Sequence, residues 1–431
     1  MSSVPDNFNV EHIEPPLAIE VAGQRLTLFF NTETQIEAVL NDIRSAQSRV
    51  WLETYIFLED RIGRLVAEAL KERASAGVEV RIHYDAVGSL ATPNSFFRDL
   101  ALAGAKLHCF RSAWEALSRF SFFKTYNRRN HRKLLVIDDR VAYFGGMNIV
   151  DHASETATDS PKRSHTAIGW RDVHVRLEGR QQRHVAESFE LSWQRAQGQP
   201  SRPSATNLPL GVLLARDRQT SLPQPADSLE SSALATNNTP ADNAPSKNKD
   251  EWVRFFDSGP GPRSHRAARV FTRLMQAARF RLTFSMAYFL PVGQVRRTLF
   301  QSAQRGVRVR VVLPSFSDMP FIQRATRYFY DVLLRRRCEV FERQQRMLHS
   351  KVLIMDDEYV VLGSSNFDVR SLWINWEFVV VIRSRRLAAL MTEVVSREAQ
   401  ESVRVTQSFW RNQSWWQRLL DRIAWSLRLW L

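Results

Sequence analysis

The amino-acid sequence predicts an α/β protein made of two homologous α/β/α sandwich lobes in one chain, related by a pseudo-twofold axis. Three observations favour this fold. Each half contains the order strand, helix, glycine, strand; an 18-residue stretch of the first half recurs in the second; and a polar segment separates the halves. We therefore expect a site at the interface of the lobes, to which both copies of the repeated stretch contribute.

The composition is that of a globular protein with a strongly basic surface. The 431 residues are 44% hydrophobic, and 60 Lys and Arg against 45 Asp and Glu give a formal net charge of +15. Such a charge should attract phosphate-rich partners, either nucleic acid or anionic lipid. Cys109 and Cys338 lie far apart without metal-ligand spacing around them, which argues against disulfides and zinc and favours a reducing compartment.

Changes in composition divide the chain into five parts. Residues 1–24 lack the basic start and apolar core of a secretory signal and are expected to form an extension. Lobes are expected over 25–196 and 251–408. Residues 197–250 are rich in Ser, Pro, Asn, Asp and Ala, which predicts a mostly disordered linker. Residues 409–431 are expected to form a helix, and no window of the chain approaches the roughly 18 apolar residues that span a bilayer.

Each lobe opens with the same supersecondary unit. In the first, "RVWLETYIFLED" precedes "RIGRLVAEALKERASAGVEVRIHYD"; in the second, "RFRLTFSMAYFLP" precedes "VGQVRRTLFQSAQRGVRVRVVLP". The apolar runs predict strands. An apolar stripe after the first run of each unit predicts a helix packed on the sheet, with Leu65, Val66, Ala69 and Leu70 in one lobe and Val295, Leu299 and Phe300 in the other.

The repeated stretch keeps polar residues at matching positions. "HRKLLVIDDRVAYFGGMN" begins at His131 and "HSKVLIMDDEYVVLGSSN" begins at His349. A purely structural duplication would preserve apolar periodicity more than particular polar residues, so this conservation between the copies indicates chemistry. The identical pairs in an ungapped alignment are His131/His349, Lys133/Lys351, Leu135/Leu353, Asp138/Asp356, Asp139/Asp357, Gly145/Gly363 and Asn148/Asn366.

The histidine and lysine of each copy lie two positions apart at the start of a strand, so they share one face. Two such pairs that face each other suit a phosphodiester. The lysines would neutralise its non-bridging oxygens, and Asn148 and Asn366 would donate hydrogen bonds to them. One imidazole would attack phosphorus while the other protonates the leaving alcohol. Because lysines supply the charge, we expect no metal and no other cofactor.

The first aspartate of each copy is grouped with these candidate catalytic residues, although its position favours another role. Asp138 and Asp356 stand at the far end of the strand and have the opposite parity to the histidines. In a strand, opposite parity means opposite faces. A supporting role at the strand end is therefore favoured over contact with the substrate.

The pattern His-x-Lys-x4-Asp, present twice, resembles the signature of the phospholipase D superfamily. The resemblance covers both halves and excludes the linker and the termini. It implies a bilobal α/β fold, a phosphohistidine intermediate and an active site that takes His, Lys and Asn from both motifs. It also implies a carboxylate in each half that orients a histidine: Asp172 of "GWRDVHVRLEG" and Glu377 of "NWE".

Within this superfamily the sequence is most similar to bacterial cardiolipin synthases of the type without N-terminal transmembrane helices. That resemblance implies transfer of a phosphatidyl group from phosphatidylglycerol to a second phospholipid alcohol, and by analogy His131 is favoured as the nucleophile. Hydrolysis to phosphatidic acid and nuclease action stay open, whereas the complete motifs disfavour a non-catalytic lipid-binding scaffold. The sequence does not indicate the acceptor, the donor headgroup or the oligomeric state.

The C-terminal segment "RNQSWWQRLLDRIAWSLRLWL" places apolar side chains on one face of a helix and charged ones on the other. Trp and Arg around a Leu and Ile stripe indicate an interfacial helix, with docking on the protein's own core as the alternative. We expect a peripheral protein on the cytoplasmic side of the bacterial inner membrane, with anionic phospholipid as substrate and no stable nucleic-acid partner. The expected membrane-binding residues are Trp415, Trp416, Arg418, Arg422, Trp425 and Trp430.

Overall fold

Two eight-stranded mixed sheets, one in each half of the chain, form the framework of the protein and confirm the expected two-lobe α/β architecture. Helices cover both sheets. The computed structural model describes residues 14–110, 127–151, 169–198, 210, 214, 250–261, 264–344, 346–408 and 413–427.

The first lobe has its parallel strands at one side of the sheet. Its strands are β1 (Leu17–Val21), β2 (Gln24–Phe29), β3 (Arg49–Thr54), β4 (Glu79–Asp85), β5 (Lys106–Phe110), β6 (Leu134–Ile137), β7 (Val141–Gly145) and β8 (His174–Glu178). Its helices are α1 (Thr32–Arg44), α2 (Arg61–Ser75), α3 (Asn94–Leu102) and α4 (Gln182–Ala196). The sheet order is β1-β2-β8-β7-β6-β3-β4-β5, and β3, β4 and β5 are parallel.

The second lobe repeats seven of these strands, β2 to β8, in the same order. Its strands are β9 (Trp252–Ser258), β10 (Arg281–Met286), β11 (Arg308–Pro314), β12 (Glu339–Arg343), β13 (Lys351–Met355), β14 (Tyr359–Gly363), β15 (Glu377–Arg383) and β16 (Ser402–Val405). Its helices are α5 (Arg266–Ala277), α6 (Gly293–Gln304), α7 (Pro320–Arg335), α8 (Arg385–Gln400) and α9 (Trp415–Ser426). The sheet order is β16-β12-β11-β10-β13-β14-β15-β9. Strands β6 and β13, which follow the two motif histidines, are therefore equivalent.

The expected N-terminal extension contains a strand of the first sheet, which corrects its boundary at residue 24. Strand β1 pairs with β2 in an antiparallel hairpin. The turn consists of Ala22 and Gly23, with φ of 50° and 72°, the backbone form that suits a two-residue hairpin loop. The sequence analysis missed this strand because its five residues are only half-buried at the sheet edge. Residues 1–13 lie outside the described residues.

The expected linker, 197–250, is described only in part. Leu210 and Leu214 are helical and buried against the outer core of the second lobe. Disorder stays a prediction for the rest, because 199–209, 211–213 and 215–249 lie outside the described residues.

A shared apolar core joins the two lobes. Val136 of β6 and Val352 of β13 belong to one buried cluster, and the rings of Phe144 and Phe378 meet at 5.9 Å across the interface. Helices α4 and α8 add apolar side chains to this cluster, while each lobe has a separate outer core on the opposite face of its sheet. Because burial of apolar surface is the main stabilising term in folding, this core fixes the beginnings of β6 and β13 relative to each other.

The motif aspartates close the turns at the far ends of β6 and β13. Asp138 has φ of 52°, and its carboxylate accepts hydrogen bonds from the backbone N–H groups of Gln47, Ser48 and Arg49 at 2.8–3.3 Å. Asp356 has φ of 53° and accepts three equivalent bonds at 2.8 Å. Both lie at the opposite strand end from the histidines. The structure thus removes them from the catalytic group and assigns them a supporting role.

We expect Asp138→Ala to lower the free energy of unfolding by about 2 kcal/mol, since three backbone N–H groups lose a charged acceptor. Although burial raises the pKa of Asp138, the backbone N–H groups of Arg49 and Ser48 bring it below the ordinary value. A depressed pKa gives stability that is present above the unfolded value of about 3.9 and is lost as the pH falls through the folded value. The difference in the free energy of unfolding between the wild type and Asp138→Ala should therefore become smaller in acid.

Urea unfolding at pH 7 and below pH 4 measures this difference. The matched control is Asp139→Ala, since Asp139 is the exposed neighbour that pairs with Arg49, and it should change stability by less than about 0.5 kcal/mol. Equal losses in the two variants would contradict the supporting role of Asp138.

Candidate active site

Backbone hydrogen bonds between the lobes bring the two histidines to one cleft. The N–H of His131 donates to the carbonyl of Trp376 at 2.9 Å, and the N–H of His349 donates to the carbonyl of Arg171 at 2.7 Å. Each histidine thus pairs through its backbone with the segment that precedes the acidic residue of the other lobe. The sequence analysis expected a site at the interface of the lobes, and these two hydrogen bonds hold both histidines at that interface.

The carboxylates contact the histidines crosswise. Nδ1 of His131 lies 3.1 Å from both carboxylate oxygens of Glu377, and Nδ1 of His349 lies 2.6 Å from Oδ2 of Asp172. At His131 the carboxylate of Glu377 and the carbonyl of Ser364 can only accept, so Nδ1 carries the proton and Nε2 is left unprotonated as a nucleophile or base. Nδ1 of His349 lies 2.6 Å from both Oδ2 of Asp172 and Nζ of Lys351, and the carboxylate favours a proton on that nitrogen. The sequence pointed to both acids but not to this exchange between lobes.

The residues that follow Gly145 and Gly363 determine how closely Asp172 and Glu377 approach the backbone at those positions. A Cβ atom on Gly146 would lie 2.2 Å from Oδ1 of Asp172, so only glycine leaves room there. In the second lobe the residue that corresponds to Gly146 is Ser364. Its hydroxyl donates to Glu377, and its carbonyl lies 3.1 Å from Nδ1 of His131. Sequence analysis missed Ser364, although the change from Gly-Gly to Gly-Ser at matched positions was visible.

Both motif lysines are buried beside the histidines. Nζ of Lys133 donates to the carbonyl of His131 at 2.7 Å, and Nζ of Lys351 lies 3.2 Å from Oδ2 of Asp172. Burial lowers the pKa of Lys133 to about 7, against the opposing charge of Glu377, and burial also lowers the pKa of Lys351. A bound phosphate would favour the charged lysines again. In the described ranges no three His, Cys, Asp or Glu side chains group as metal ligands would.

Burial favours the uncharged form of both histidines. Burial lowers the pKa of His131 to about 4, although Glu377 opposes it. Burial and the charge of Lys351 lower the pKa of His349, and Asp172 opposes them. Burial alone would raise the pKa of Asp172, but the charge of Lys351 and the hydrogen bond with His349 hold it at about 2. An anionic phosphodiester between the rings would raise both histidine pKa values, which suits an acid that must be protonated only when substrate is bound.

Both motif asparagines are buried. Oδ1 of Asn148 accepts a hydrogen bond from the N–H of Ile56 at 3.2 Å, which orients the side-chain amide. Oδ1 of Asn366 has no hydrogen-bond partner among the described residues. Donation from their amide nitrogens to phosphate oxygens stays a prediction.

Aromatic side chains form walls of the cleft that the sequence analysis missed. The ring of Tyr55 meets His131 edge-on at 5.2 Å. Trp170 and Tyr288 lie 4.8 and 6.3 Å from the ring of His349. The available signal was their position, since Tyr55 and Tyr288 follow the first strand of each repeated unit. These rings hold the imidazoles by packing on them.

Comparison with known proteins agrees with this geometry. The family model described as "Cardiolipin synthase, PLD-like domain" matches residues 39–160 and 271–399, which include both repeated stretches. The chain belongs to this family. It is a phosphatidyltransferase of the phospholipase D superfamily, as the sequence resemblance implied.

Relatives of this phospholipase D-like protein match along nearly its whole length. Cardiolipin synthase A of Pseudomonas aeruginosa is 29% identical over 405 residues, and the cardiolipin synthase of Halalkalibacterium halodurans is 29% identical over 420 residues. Each match covers 94% of this chain and 73% of the relative. The phosphatidylserine synthase of Haemophilus influenzae has the same fold, with a TM-score of 0.64, 13% identity and coverage of 96% and 94% of the two chains.

We expect Asp172→Asn to lower kcat/KM for phosphatidyl transfer by about 10² to 10⁴-fold, because an amide cannot fix the tautomer of His349. The negative charge of Asp172 raises the pKa of His349. Its removal therefore lowers that pKa, and if His349 is the acid, the alkaline limb of the pH profile moves to lower pH.

The measurement is kcat/KM as a function of pH, with Asp139→Asn as a control that removes an exposed carboxylate far from the cleft. The control should retain the wild-type profile. An active Asp172→Asn variant with an unshifted profile would show that this carboxylate does not act through His349.

Proposed function

We propose that this protein makes cardiolipin, by moving a phosphatidyl group from one phosphatidylglycerol to a second one with release of glycerol. The observation that supports the proposal best is the crosswise arrangement of two histidines, each with its Nδ1 bound to a carboxylate of the other lobe. This arrangement places the unprotonated Nε2 of His131 and a second imidazole, that of His349, at one cleft together with two buried lysines. Those groups match the needs of a double displacement at a phosphodiester.

The proposed reaction has two steps. When the anionic substrate binds, His349 takes up a proton at Nε2. Nε2 of His131 then attacks phosphorus while His349 gives that proton to the glycerol oxygen, which leaves as glycerol and yields a phosphohistidine. The hydroxyl of a second phosphatidylglycerol then loses its proton to His349 and attacks phosphorus, which forms cardiolipin and restores His131. Lys133 and Lys351 neutralise the non-bridging oxygens in both transition states. The choice of His131 as nucleophile rests on the family resemblance.

Hydrolysis is the second candidate, because water in place of the lipid alcohol would give phosphatidic acid from the same intermediate. The apolar face of helix α9, described next, favours a lipid substrate over nucleic acid. We keep anionic phospholipid as the proposed substrate, and we propose no stable nucleic-acid partner.

Helix α9 docks on the second lobe by a narrow stripe. Asp421 and Ala424 are buried, with Asp421 3.4 Å from Arg324 of α7. Trp425 stacks on Phe329 at a ring distance of 5.3 Å. Trp425 is therefore a docking residue, which corrects its assignment to the membrane-binding set, and Trp430 lies outside the described residues.

The opposite face of α9 is apolar and exposed. Trp415 and Trp416 are each 58% exposed, and Leu419, Leu420, Ile423 and Leu427 share their face. At 100° per residue this face points away from the docked stripe, while Arg418 and Arg422 are exposed at its border. Docking and an exposed apolar face thus occur in the same helix, although the sequence analysis treated them as alternatives.

This arrangement favours a peripheral position, with α9 lying in the headgroup region of an anionic membrane. In the part of the chain that the structure describes, no helix has the length and apolar character needed to cross a bilayer. The cytoplasmic side of the bacterial inner membrane remains part of the proposal, in agreement with the net charge of +15.

We expect His131→Ala and His349→Ala each to lower cardiolipin formation by about 10⁴-fold or more, since each removes a group required in both steps. The measurement incubates purified protein with phosphatidylglycerol vesicles and identifies the products by mass. The control is His184→Ala, because His184 is partly exposed on α4 and contacts Glu187 away from the cleft. Near-normal turnover by either motif variant would contradict the two-histidine mechanism, and phosphatidic acid as the sole wild-type product would favour the hydrolase.

We expect the double substitution Trp415→Ala and Trp416→Ala to weaken binding to anionic vesicles at least about tenfold, because it removes two large side chains from the exposed face. Co-sedimentation with vesicles that contain phosphatidylglycerol measures this change. The control is Leu102→Ala at the end of α3, an apolar residue that is 78% exposed on the first lobe. Unchanged binding of the double variant would leave α9 as a helix that only docks on the protein.

A further inference from the structure

A tyrosine and an aspartate at the mouth of the second lobe are not used by the reaction described above. Tyr288 follows strand β10, and its ring meets His349 edge-on at 6.3 Å. Its hydroxyl donates to Oδ1 of Asp318 at 2.6 Å, and the hydroxyl of Ser317 donates to the same oxygen at 3.1 Å. Asp318 is exposed. Among the described residues its other oxygen, Oδ2, accepts no hydrogen bond, so a fixed carboxylate presents one oxygen at the site.

The charge of Asp318 reaches the reacting groups. Burial lowers the pKa of His349 and of Lys351, and the carboxylate of Asp318 is one of the charges that oppose this in both. It also acts on Tyr55, which lies against His131 on the other side of the cleft. The geometry agrees with this, because the ring of Tyr288 lies 6.3 Å from that of His349 while its hydroxyl bonds Asp318 at 2.6 Å, so one side chain separates the carboxylate from the imidazole.

The first lobe has no equivalent of this pair at the corresponding positions. The strand registers align Tyr288 with Ile56, whose side chain has no hydroxyl. Asp318 lies in the loop between β11 and α7, which is three residues shorter than the loop between β4 and α3. The first lobe places a carboxylate, Asp85, near Tyr55 and Lys133, but it is buried and already bonded to Arg129 and to the N–H of Asn130. An exposed carboxylate held by a tyrosine is therefore a feature of the side of His349. A feature confined to one side indicates a ligand group that is present on one side.

The geometry of displacement identifies that group as an alcohol. In an in-line reaction the leaving and entering alcohols lie opposite the nucleophile, next to the acid that protonates or deprotonates them. With His131 as the nucleophile of the proposed function, the alcohol lies beside His349, where Tyr288 and Asp318 are. A carboxylate repels the phosphate itself, so it suits the headgroup and not the phosphoryl oxygens.

The chemistry of a carboxylate restricts the headgroup further. It only accepts hydrogen bonds, so a headgroup with two neighbouring hydroxyls can react through one and donate the other to Asp318. An ammonium headgroup would also suit a carboxylate, but Lys133 and Lys351 at the same cleft disfavour an additional cation. The glycerol headgroup has neighbouring hydroxyls and carries no positive charge, so it meets both conditions.

We propose that Asp318, held by Tyr288, is a specificity residue that recognises the vicinal diol of the leaving and entering glycerol headgroups. The proposal rests on the proposed transfer reaction. The pair is held rigidly: Tyr288 packs with Leu290, Ile322 and Ala424 in a small apolar cluster at the junction of α7 and α9. A preformed acceptor of this kind costs little reorganisation when a headgroup enters.

The experiment is a competition between two alcohols for the phosphatidyl group. Wild-type protein and phosphatidylglycerol vesicles are mixed with equal concentrations of deuterated glycerol and 1-propanol, and labelled phosphatidylglycerol and phosphatidylpropanol are quantified by mass. We expect Asp318→Asn to lower the glycerol-to-propanol product ratio about tenfold, the effect of one lost hydrogen bond to a charged group. Tyr288→Phe should lower it about threefold, since Asp318 stays but loses its anchor.

The matched control is Asp331→Asn, which neutralises an aspartate paired with Arg335 on helix α7, the helix that begins two residues after Asp318. Its product ratio should equal that of the wild type. An unchanged ratio in Asp318→Asn, or an equal fall of both products, would overturn the proposal. So would a selective loss of transfer to ethanolamine, added as a third alcohol, because Asp318 would then recognise an ammonium group.

Failure of the proposed transfer reaction gives a different result. Wild-type protein would then form phosphatidic acid alone, with neither labelled phosphatidylglycerol nor phosphatidylpropanol. The headgroup subsite is tested in that case by the relative rates at which phosphatidylglycerol and phosphatidylpropanol are hydrolysed. Asp318→Asn should again lower the preference for the glycerol headgroup about tenfold, and an unchanged preference would overturn the subsite on its own.

Discussion

The hydrogen bonds that run from each histidine to the carboxylate of the other lobe are the interaction on which the site depends. His131 with Glu377 and His349 with Asp172 orient both rings, and each bond exists only while the lobes keep their relative position. The shared apolar core and the backbone bonds at Trp376 and Arg171 maintain that position. Stability of the interface and chemical competence are therefore the same requirement in this protein.

Burial makes this requirement stricter. The lysines and histidines of the site lie in a desolvated cleft that lowers their pKa values, and the two carboxylates offset part of that cost. Removing one acid would leave a buried cationic centre without its counter-charge, and such a loss is expensive in a low dielectric. The anionic substrate supplies charge of the same sign as the carboxylates, so binding and activation reinforce each other.

The sequence could predict the repeat, the two lobes and the His, Lys and Asn set, because these are encoded by local spacing and by identity between the copies. It could not predict which acid meets which histidine, since Asp172 and His349 are brought together only by packing between lobes. It missed Ser364 and Trp170 for the same reason, whereas Tyr55 and Tyr288 pack on the histidine of their own lobe and could have been noticed from their position after the first strand of each unit. The strand at Leu17–Val21 escaped because a short edge strand has a weak pattern, and the docking role of Trp425 escaped because helical periodicity describes faces and not neighbours.

The strict pairing between lobes bears on how such a molecule can change over evolutionary time. In a symmetric assembly of two identical chains, every substitution appears on both sides of the cleft, so a residue useful on one side is imposed on the other. When both copies are joined in one polypeptide, equivalent positions of the two lobes can be substituted independently. Gly146 and Ser364, or Ile56 and Tyr288, show the result: the catalytic groups remain matched while their surroundings have diverged, and one phosphorus atom can meet two different environments.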